Sequence, residues 1–161
     1  MSVNSRRTNR IILIIIGLVV GFIFLAVMAN QATTDGSLKG KVAVVYRSAT
    51  CGCCGNYITY LRKAGVKVEE KITNDMTAIR KQFGVPEELS SCHTVRMEDY
   101  TIEGHMPIEA IQKLLTEKSS IAGIALPKMP SGSPGMPGAK YETFDVYSFD
   151  SYGSSSPYIS I

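Results

Sequence analysis

All four cysteines of the chain fall in two short motifs. Residues 51–55 read CGCCG and residues 91–94 read SCHT, so a histidine directly follows the last cysteine. Clustered thiols form structural disulfides, exchange disulfides with a substrate, or bind soft metal ions. Structural disulfides fit this spacing poorly, because three cysteines within four residues pair with one another only through strained bridges. The pattern therefore favours the other two chemistries.

Disulfide exchange is indicated by Cys51 and Cys54, which form a C-x-x-C motif at a predicted strand-to-helix turn. Helix N-terminal amides stabilise a thiolate at such a turn, and Cys51, nearest to them, is the expected nucleophile. A simple redox pair leaves Cys53 without a role. Thioredoxin-like enzymes also usually carry a proline directly before the third strand, where this chain has Ser-Cys-His at 91–93.

Soft-metal binding accounts for the third thiol of the first motif. Clustered thiolates with a nearby histidine and methionines in flexible loops suit Cu(I) best. Zinc is the less favoured metal, although cysteine and histidine can close a tetrahedral zinc site. A C-x-C-C sequence crowds a single tetrahedral ion, and crowded thiolates favour bridging of two or more soft ions. The sequence therefore predicts more than one Cu(I) ion.

Alternating strands and helices must position these motifs. Residues 41–46 (KVAVVY) predict a buried strand directly before the first motif, and apolar residues from Tyr57 to Ala64 recur at helical spacing. Further strands are predicted over 66–72, 94–100 and 141–149, helices over 76–83 and 107–115, and a Pro/Gly-rich loop over 126–140. The β-α-β-α-β-α-β order predicts an α/β thioredoxin-like sandwich with a small mixed sheet.

The N-terminal segment has the composition of a membrane anchor. Residues 11–29 carry no charge, and as a helix they would span about 28 Å, close to the thickness of a bilayer's hydrocarbon core. Three arginines precede the run: Arg6, Arg7 and Arg10. The positive-inside rule places residues 1–10 in the cytoplasm and the domain in the periplasm or at the cell exterior, with a single pass through the cytoplasmic (inner) membrane. A cleaved signal peptide is the alternative, because residues 27–29 could form a cleavage site.

The rest of the 161-residue chain divides into a linker at 30–40, a thioredoxin-like metal-binding domain at 41–150 and a flexible, Ser-rich tail at 151–161. The net charge of +3 is supplied by the three N-terminal arginines, and the 14 basic residues that follow balance 14 acidic ones. Nucleic-acid binding requires a basic surface. We therefore expect no nucleic-acid partner.

Four motifs in a fixed order carry a resemblance to a known family. They are CGCCG at 51–55, SCHT at 91–94, EGHMP at 103–107 and GSPGM at 132–136. Over about residues 40–148 the chain is similar to the CopG-like copper-resistance proteins. The resemblance implies a thioredoxin-like fold, an extracytoplasmic location, copper at the cysteine cluster and a redox role between Cu(I) and Cu(II). The site residues that it implies are Cys51, Cys53, Cys54, Cys92, His93 and His105.

The predicted function is that of an extracytoplasmic copper-binding protein that holds a Cu(I)–thiolate cluster for copper resistance. The alternative is a thiol–disulfide oxidoreductase that uses Cys51 and Cys54. Copper ions, the membrane and a copper-handling protein are the expected partners. Two loop methionines, Met129 and Met136, are further candidate ligands because a thioether binds Cu(I). Three acidic residues are expected to face solvent: Glu98, Asp99 and Glu103.

Overall fold

The structure is a computed structural model that describes Ile16, Val19, Gly21 and residues 37–161. The chain divides into two compact units, Met1–Asp35 and Gly36–Ile161. In the first unit, the three described residues are helical. None of the helices in the described residues is both long and apolar enough to cross a bilayer. Apart from those three positions, the predicted anchor at 11–29 lies outside the described residues.

The second unit is built on one mixed sheet of seven strands, which run in the order β2-β1-β3-β4-β5-β6-β7. The strands are β1 (Val42–Arg47), β2 (Lys67–Ile72), β3 (His93–Met97), β4 (Tyr100–Glu103), β5 (Gly123–Ala125), β6 (Asp145–Phe149) and β7 (Ser155–Ser160). Strands β1 and β2 pair in parallel, as do β4 and β5, and the other pairs are antiparallel. This mixed α/β fold fits a thioredoxin-like domain, with a larger sheet than predicted.

Three α-helices connect the strands, and most of the core side chains that lie in helices belong to two of them. They are α1 (Gly52–Lys63), α2 (Met76–Gln82) and α3 (Ile108–Glu117), and a short 3₁₀ helix spans Glu87–Leu89. The buried side chains of α1 and α3 recur every three or four residues, as expected for a helix with one face on a sheet. That face packs on apolar residues of the sheet, which include Val45, Val95 and Ile102. Because the face includes Cys54, the packing of α1 also fixes where the first cysteine motif lies.

The strand predicted over 94–100 is two strands of a hairpin. Strands β3 and β4 pair in antiparallel fashion around a turn at Glu98 and Asp99, which are both exposed as expected. Glu98 adopts a positive φ of 52°. Acidic side chains can occupy a solvent-exposed turn. The residues on both sides of this turn have strand composition, so one strand was predicted where the chain reverses its direction.

The C-terminal tail differs from the flexible segment predicted at 151–161. A turn follows β6, in which the Asp150 carboxylate accepts hydrogen bonds from the backbone N–H groups of Tyr152 (2.8 Å) and Ser154 (2.9 Å). Strand β7 then pairs with β6 at the edge of the sheet. Strand pairing uses backbone groups, so a Ser-rich sequence can supply it. Three apolar side chains of the tail pack against the core: Tyr158, Ile159 and Ile161.

Candidate metal centre

The first cysteine motif lies at the N-terminus of α1, directly after the turn that follows β1. Cys51 is the N-cap residue of the helix, and its side chain makes no capping hydrogen bond to the helix backbone. Cys53 occupies the first turn and, like Cys51, is half-buried, whereas Cys54 points into the core with no exposed surface. The motif therefore has two sulfurs near the surface and one inside.

The second motif approaches the first because β3 pairs with β1, with His93 opposite Arg47. This pairing brings Cys92, the residue before β3, beside the start of α1. The Sγ atom of Cys92 lies 3.6 Å from Sγ of Cys54. The sequence alone had left open which of the four cysteines could meet.

Cys51 and Cys54 form a disulfide, and the thiols of Cys53 and Cys92 are free. The Sγ atom of Cys53 lies 3.5 Å from Sγ of Cys51. Each free thiol therefore lies against a different sulfur of the disulfide. All four Sγ atoms lie within 4.8 Å of one another. The C-x-x-C pairing at a helix N-terminus is the arrangement that the disulfide-exchange alternative predicts.

Two buried histidines bracket the Cys92 sulfur. Nδ1 of His93 lies 3.2 Å from it, and Nε2 of His105 lies 3.1 Å from it. The other ring nitrogen of His105, Nδ1, lies 2.6 Å from the carbonyl oxygen of Pro134. Because a carbonyl oxygen only accepts, Nδ1 of His105 carries the proton and donates it, which leaves the Nε2 lone pair directed at Cys92.

Burial keeps these groups uncharged in the absence of metal. It lowers the pKa of His105, and together with the neighbouring His105 charge it lowers the pKa of His93 to about 3. Burial, and then the charge of Cys53, raise the pKa of the Cys92 thiol to about 12. Both imidazoles are thus neutral at physiological pH, as metal ligation requires. A metal ion that binds Cys92 has to displace its proton.

Tyr57 packs against both histidines from α1. Its ring centroid lies 4.5 Å from that of His93 and 5.4 Å from that of His105, and its hydroxyl donates to the carbonyl of Met106 at 3.0 Å. Nε2 of His93 is buried and has no hydrogen-bonding partner of good geometry within residues 37–161. These aromatic contacts hold both imidazole rings beside Cys92.

The Pro/Gly-rich loop folds back onto the start of α1, as a loop rather than as a regular element. Gly135 has a φ of 83°, and its carbonyl accepts a hydrogen bond from Nδ2 of Asn56 at 3.3 Å. The backbones are so close that a Cβ atom at Gly135 would lie 2.6 Å from the backbone nitrogen of Tyr57. Met129, which is 37% exposed, and the half-buried Met136 lie in this loop. Their role as copper ligands stays a prediction.

Glu103 is a residue of the site whose solvent exposure was predicted wrongly from the sequence. It was expected to face solvent, but it is fully buried at the end of β4. Its carboxylate accepts the Ser91 N–H at 2.7 Å and the Thr94 hydroxyl at 2.6 Å, and burial raises its pKa to about 7. It therefore ties β4 to the segment that carries Cys92. Its position two residues before His105, in the third motif, is the signal that could have indicated this.

The side chains form two overlapping groups of potential ligands. One contains the four cysteines, and the other contains Cys92, His93 and His105; within each group the ligand atoms lie within 4.8 Å of one another. Cys92 belongs to both groups. Thiolate sulfur and neutral imidazole nitrogen form a soft donor set that fits Cu(I) once the disulfide is reduced. Six of the eight residues predicted as ligands thus lie together.

Comparisons with known proteins identify the family of the chain. A family model described as "Protein of unknown function, DUF411" matches residues 89–136, which contain the second, third and fourth motifs. No curated protein sequence matches the chain. Two solved structures, "Copper resistance protein copG- Form 1" and "Copper resistance protein copG- Form 2", are each 36% identical to it.

The two likenesses extend over nearly the whole of each solved structure. Form 1 has a TM-score of 0.69, with 74% of this chain and 96% of that chain covered. Form 2 has a TM-score of 0.70, with 75% and 98% covered. With this identity over such coverage, and with the four motifs in order, the chain belongs to the CopG-like copper-resistance family.

Proposed function

We propose that the chain binds copper as Cu(I) through its cysteine–histidine centre and thereby serves copper resistance. The centre consists of Cys51, Cys53, Cys54, Cys92, His93 and His105. The observation that carries the proposal is the convergence of four sulfurs within 4.8 Å, with Cys92 also facing two imidazoles. The two similar structures are both copper resistance proteins, which supports the proposal.

More than one Cu(I) ion fits the charge of this centre. Four thiolates around a single Cu(I) would leave a strongly negative group in a partly buried place, which is costly. Each further Cu(I) cancels one negative charge, and sulfur can bridge two ions. The histidines, or a thioether of Met129 or Met136, would complete the coordination. We also propose that the bound copper cycles between Cu(I) and Cu(II). We further propose that the chain exchanges copper with a copper-handling protein.

A Cys53→Ser substitution separates copper binding from the alternative, disulfide exchange. Because the variant loses one soft ligand, we expect it to bind about one copper ion fewer per chain. Because Cys53 lies outside the disulfide, the rate at which the variant reduces a disulfide substrate should change little. Anaerobic metal analysis after saturation with Cu(I), alongside a disulfide-reductase assay, measures both.

Gly55→Ala is the matched control, because it alters the same motif at a position where a Cβ atom meets nothing within 4 Å. Its copper count should equal that of the wild type. The second candidate function is a thiol–disulfide oxidoreductase, which the observed Cys51–Cys54 disulfide favours. An unchanged copper count in Cys53→Ser, with a reductase rate well above that of free dithiols, would support this function instead. Zinc on the natively purified protein, lost together with the fold on chelation, would contradict both functions.

The location of the protein is proposed from its N-terminal sequence and its disulfide. An uncharged run at 11–29 follows three arginines, and disulfides persist in oxidising compartments. We expect residues 11–28 to be retained as an anchor, so that the mature chain fractionates with membranes. N-terminal sequencing of the mature protein tests this, and a sequence that begins at Asn30 would show that the segment is a cleaved signal peptide.

A further inference from the structure

We propose that Cys92 is the resolving thiol of the Cys51–Cys54 disulfide: its sulfur attacks Cys54 and releases Cys51. The chain then has two oxidised forms, one with a Cys51–Cys54 bond and one with a Cys54–Cys92 bond. This inference does not rest on copper binding, because the exchange takes place in the metal-free chain. It concerns a residue outside the C-x-x-C motif.

The positions of the sulfurs place one free thiol beside each sulfur of the disulfide. Cys92 lies 3.6 Å from Cys54, the inner sulfur of the disulfide, and Cys53 lies 3.5 Å from Cys51, the outer one. Thiol–disulfide exchange proceeds by attack of one sulfur on another, and the sulfur that is not attacked leaves as a thiolate. Both free thiols are therefore within reach of the disulfide, and each would release a different leaving group.

The environments of the two leaving groups favour attack by Cys92. Its attack on Cys54 releases Cys51, which is half-buried and occupies the N-cap position of α1, where helix amides can stabilise a thiolate. Attack by Cys53 on Cys51 would instead release Cys54, which has no exposed surface. A thiolate without solvent is a poor leaving group, because burial disfavours its charge.

The exchange is balanced within the chain. The bond between Cys51 and Cys54 breaks as the bond between Cys54 and Cys92 forms, so one disulfide replaces another and no electrons are gained or lost. The half-buried Cys92 thiol releases its proton to solvent as its sulfur bonds to Cys54. That proton then returns through solvent to the Cys51 thiolate. No external oxidant or reductant takes part.

Peptide mapping of the metal-free, full-length chain tests the exchange. The protein is oxidised to one disulfide per chain, incubated at neutral pH, quenched with acid, blocked with N-ethylmaleimide and digested with trypsin. Cleavage after Arg47, Arg62, Lys81 and Arg96 separates peptide 48–62, with three cysteines, from peptide 82–96, with Cys92. A Cys54–Cys92 bond joins the two peptides, whereas a Cys51–Cys54 bond stays within the first.

We expect the joined peptides in the wild type, from material that remains monomeric on a non-reducing gel. Cys51→Ser removes the competing bond and should increase the joined fraction several-fold, whereas Cys92→Ser should abolish it. Cys53→Ser should leave it at the wild-type level. Absence of the joined peptides from the wild type would overturn the proposal. Their loss in Cys53→Ser, or their persistence in Cys54→Ser, would also overturn it, because either result would assign the attack to another pair of sulfurs.

Discussion

A Cys92→Ser variant is expected to lose copper affinity by about 100-fold or more, beyond the 10- to 100-fold effect of groups that merely orient a metal ligand. Cys92 is the one residue shared by the four-cysteine group and the histidine group. Its loss therefore removes a soft ligand and also separates the imidazoles from the remaining sulfurs. Competition with a Cu(I) chelator under anaerobic, reducing conditions measures the affinity.

Ser90→Ala provides the control for this variant. Ser90 lies two residues before Cys92, and its hydroxyl donates to the carbonyl of Pro86 at 3.5 Å. Removal of this hydroxyl tests whether any change in the segment disturbs copper binding. We expect Ser90→Ala to bind copper as the wild type does. A loss of less than 10-fold in Cys92→Ser would show that the two ligand groups do not share this sulfur.

Gly135→Ala is expected to weaken both the fold and copper binding. The substitution places a Cβ atom 2.6 Å from the Tyr57 backbone nitrogen, so the loop must move away from α1. Overpacking of this kind costs about 1–3 kcal/mol of unfolding free energy. Movement of the loop also withdraws the Pro134 carbonyl from His105, and loss of such a partner lowers metal affinity by about 10- to 100-fold. Chemical denaturation and chelator competition measure the two effects.

Gly40→Ala separates the steric clash from the backbone conformation. Gly40 has the same φ of 83°, but a Cβ atom there meets nothing within 4 Å. Its cost should be limited to the conformational penalty of about 1–2 kcal/mol for an L residue in the left-handed region, with copper affinity unchanged. If the two variants bound copper equally well, the contact between the loop and α1 would have no part in orienting His105.

The location of the cysteine centre could be predicted because strand and helix signals surround the motif closely. A β-branched run before residues 51–55 and helical spacing after them indicated a strand-to-helix turn, and β1 and α1 flank that turn. The approach of Cys92 depends on the antiparallel pairing of β3 with β1, which is a long-range contact. Local patterns do not encode such register, so the sequence did not determine which sulfurs meet.

The burial of Glu103 and the pairing of β7 were missed for a related reason. A carboxylate is usually solvated, and Glu103 is buried only because the Ser91 N–H, just before β3, and the Thr94 hydroxyl, in β3, supply its hydrogen bonds. Likewise, a Ser-rich tail lacks an apolar strand pattern, yet β7 is held by the backbone of β6. In both cases the stabilising partner lies on the neighbouring arm of a hairpin, which the composition of the segment itself does not show.

Anaerobic Cu(I) titration of the fully reduced full-length chain measures whether the centre holds a cluster of copper ions. Four thiols and two neutral imidazoles converge on one centre, and several Cu(I) ions cancel the thiolate charge. We expect cooperative loading that saturates above one copper ion per chain, and a lower capacity while the Cys51–Cys54 disulfide remains intact. Saturation at one ion or none, with the same result in the reduced and oxidised proteins, would contradict it.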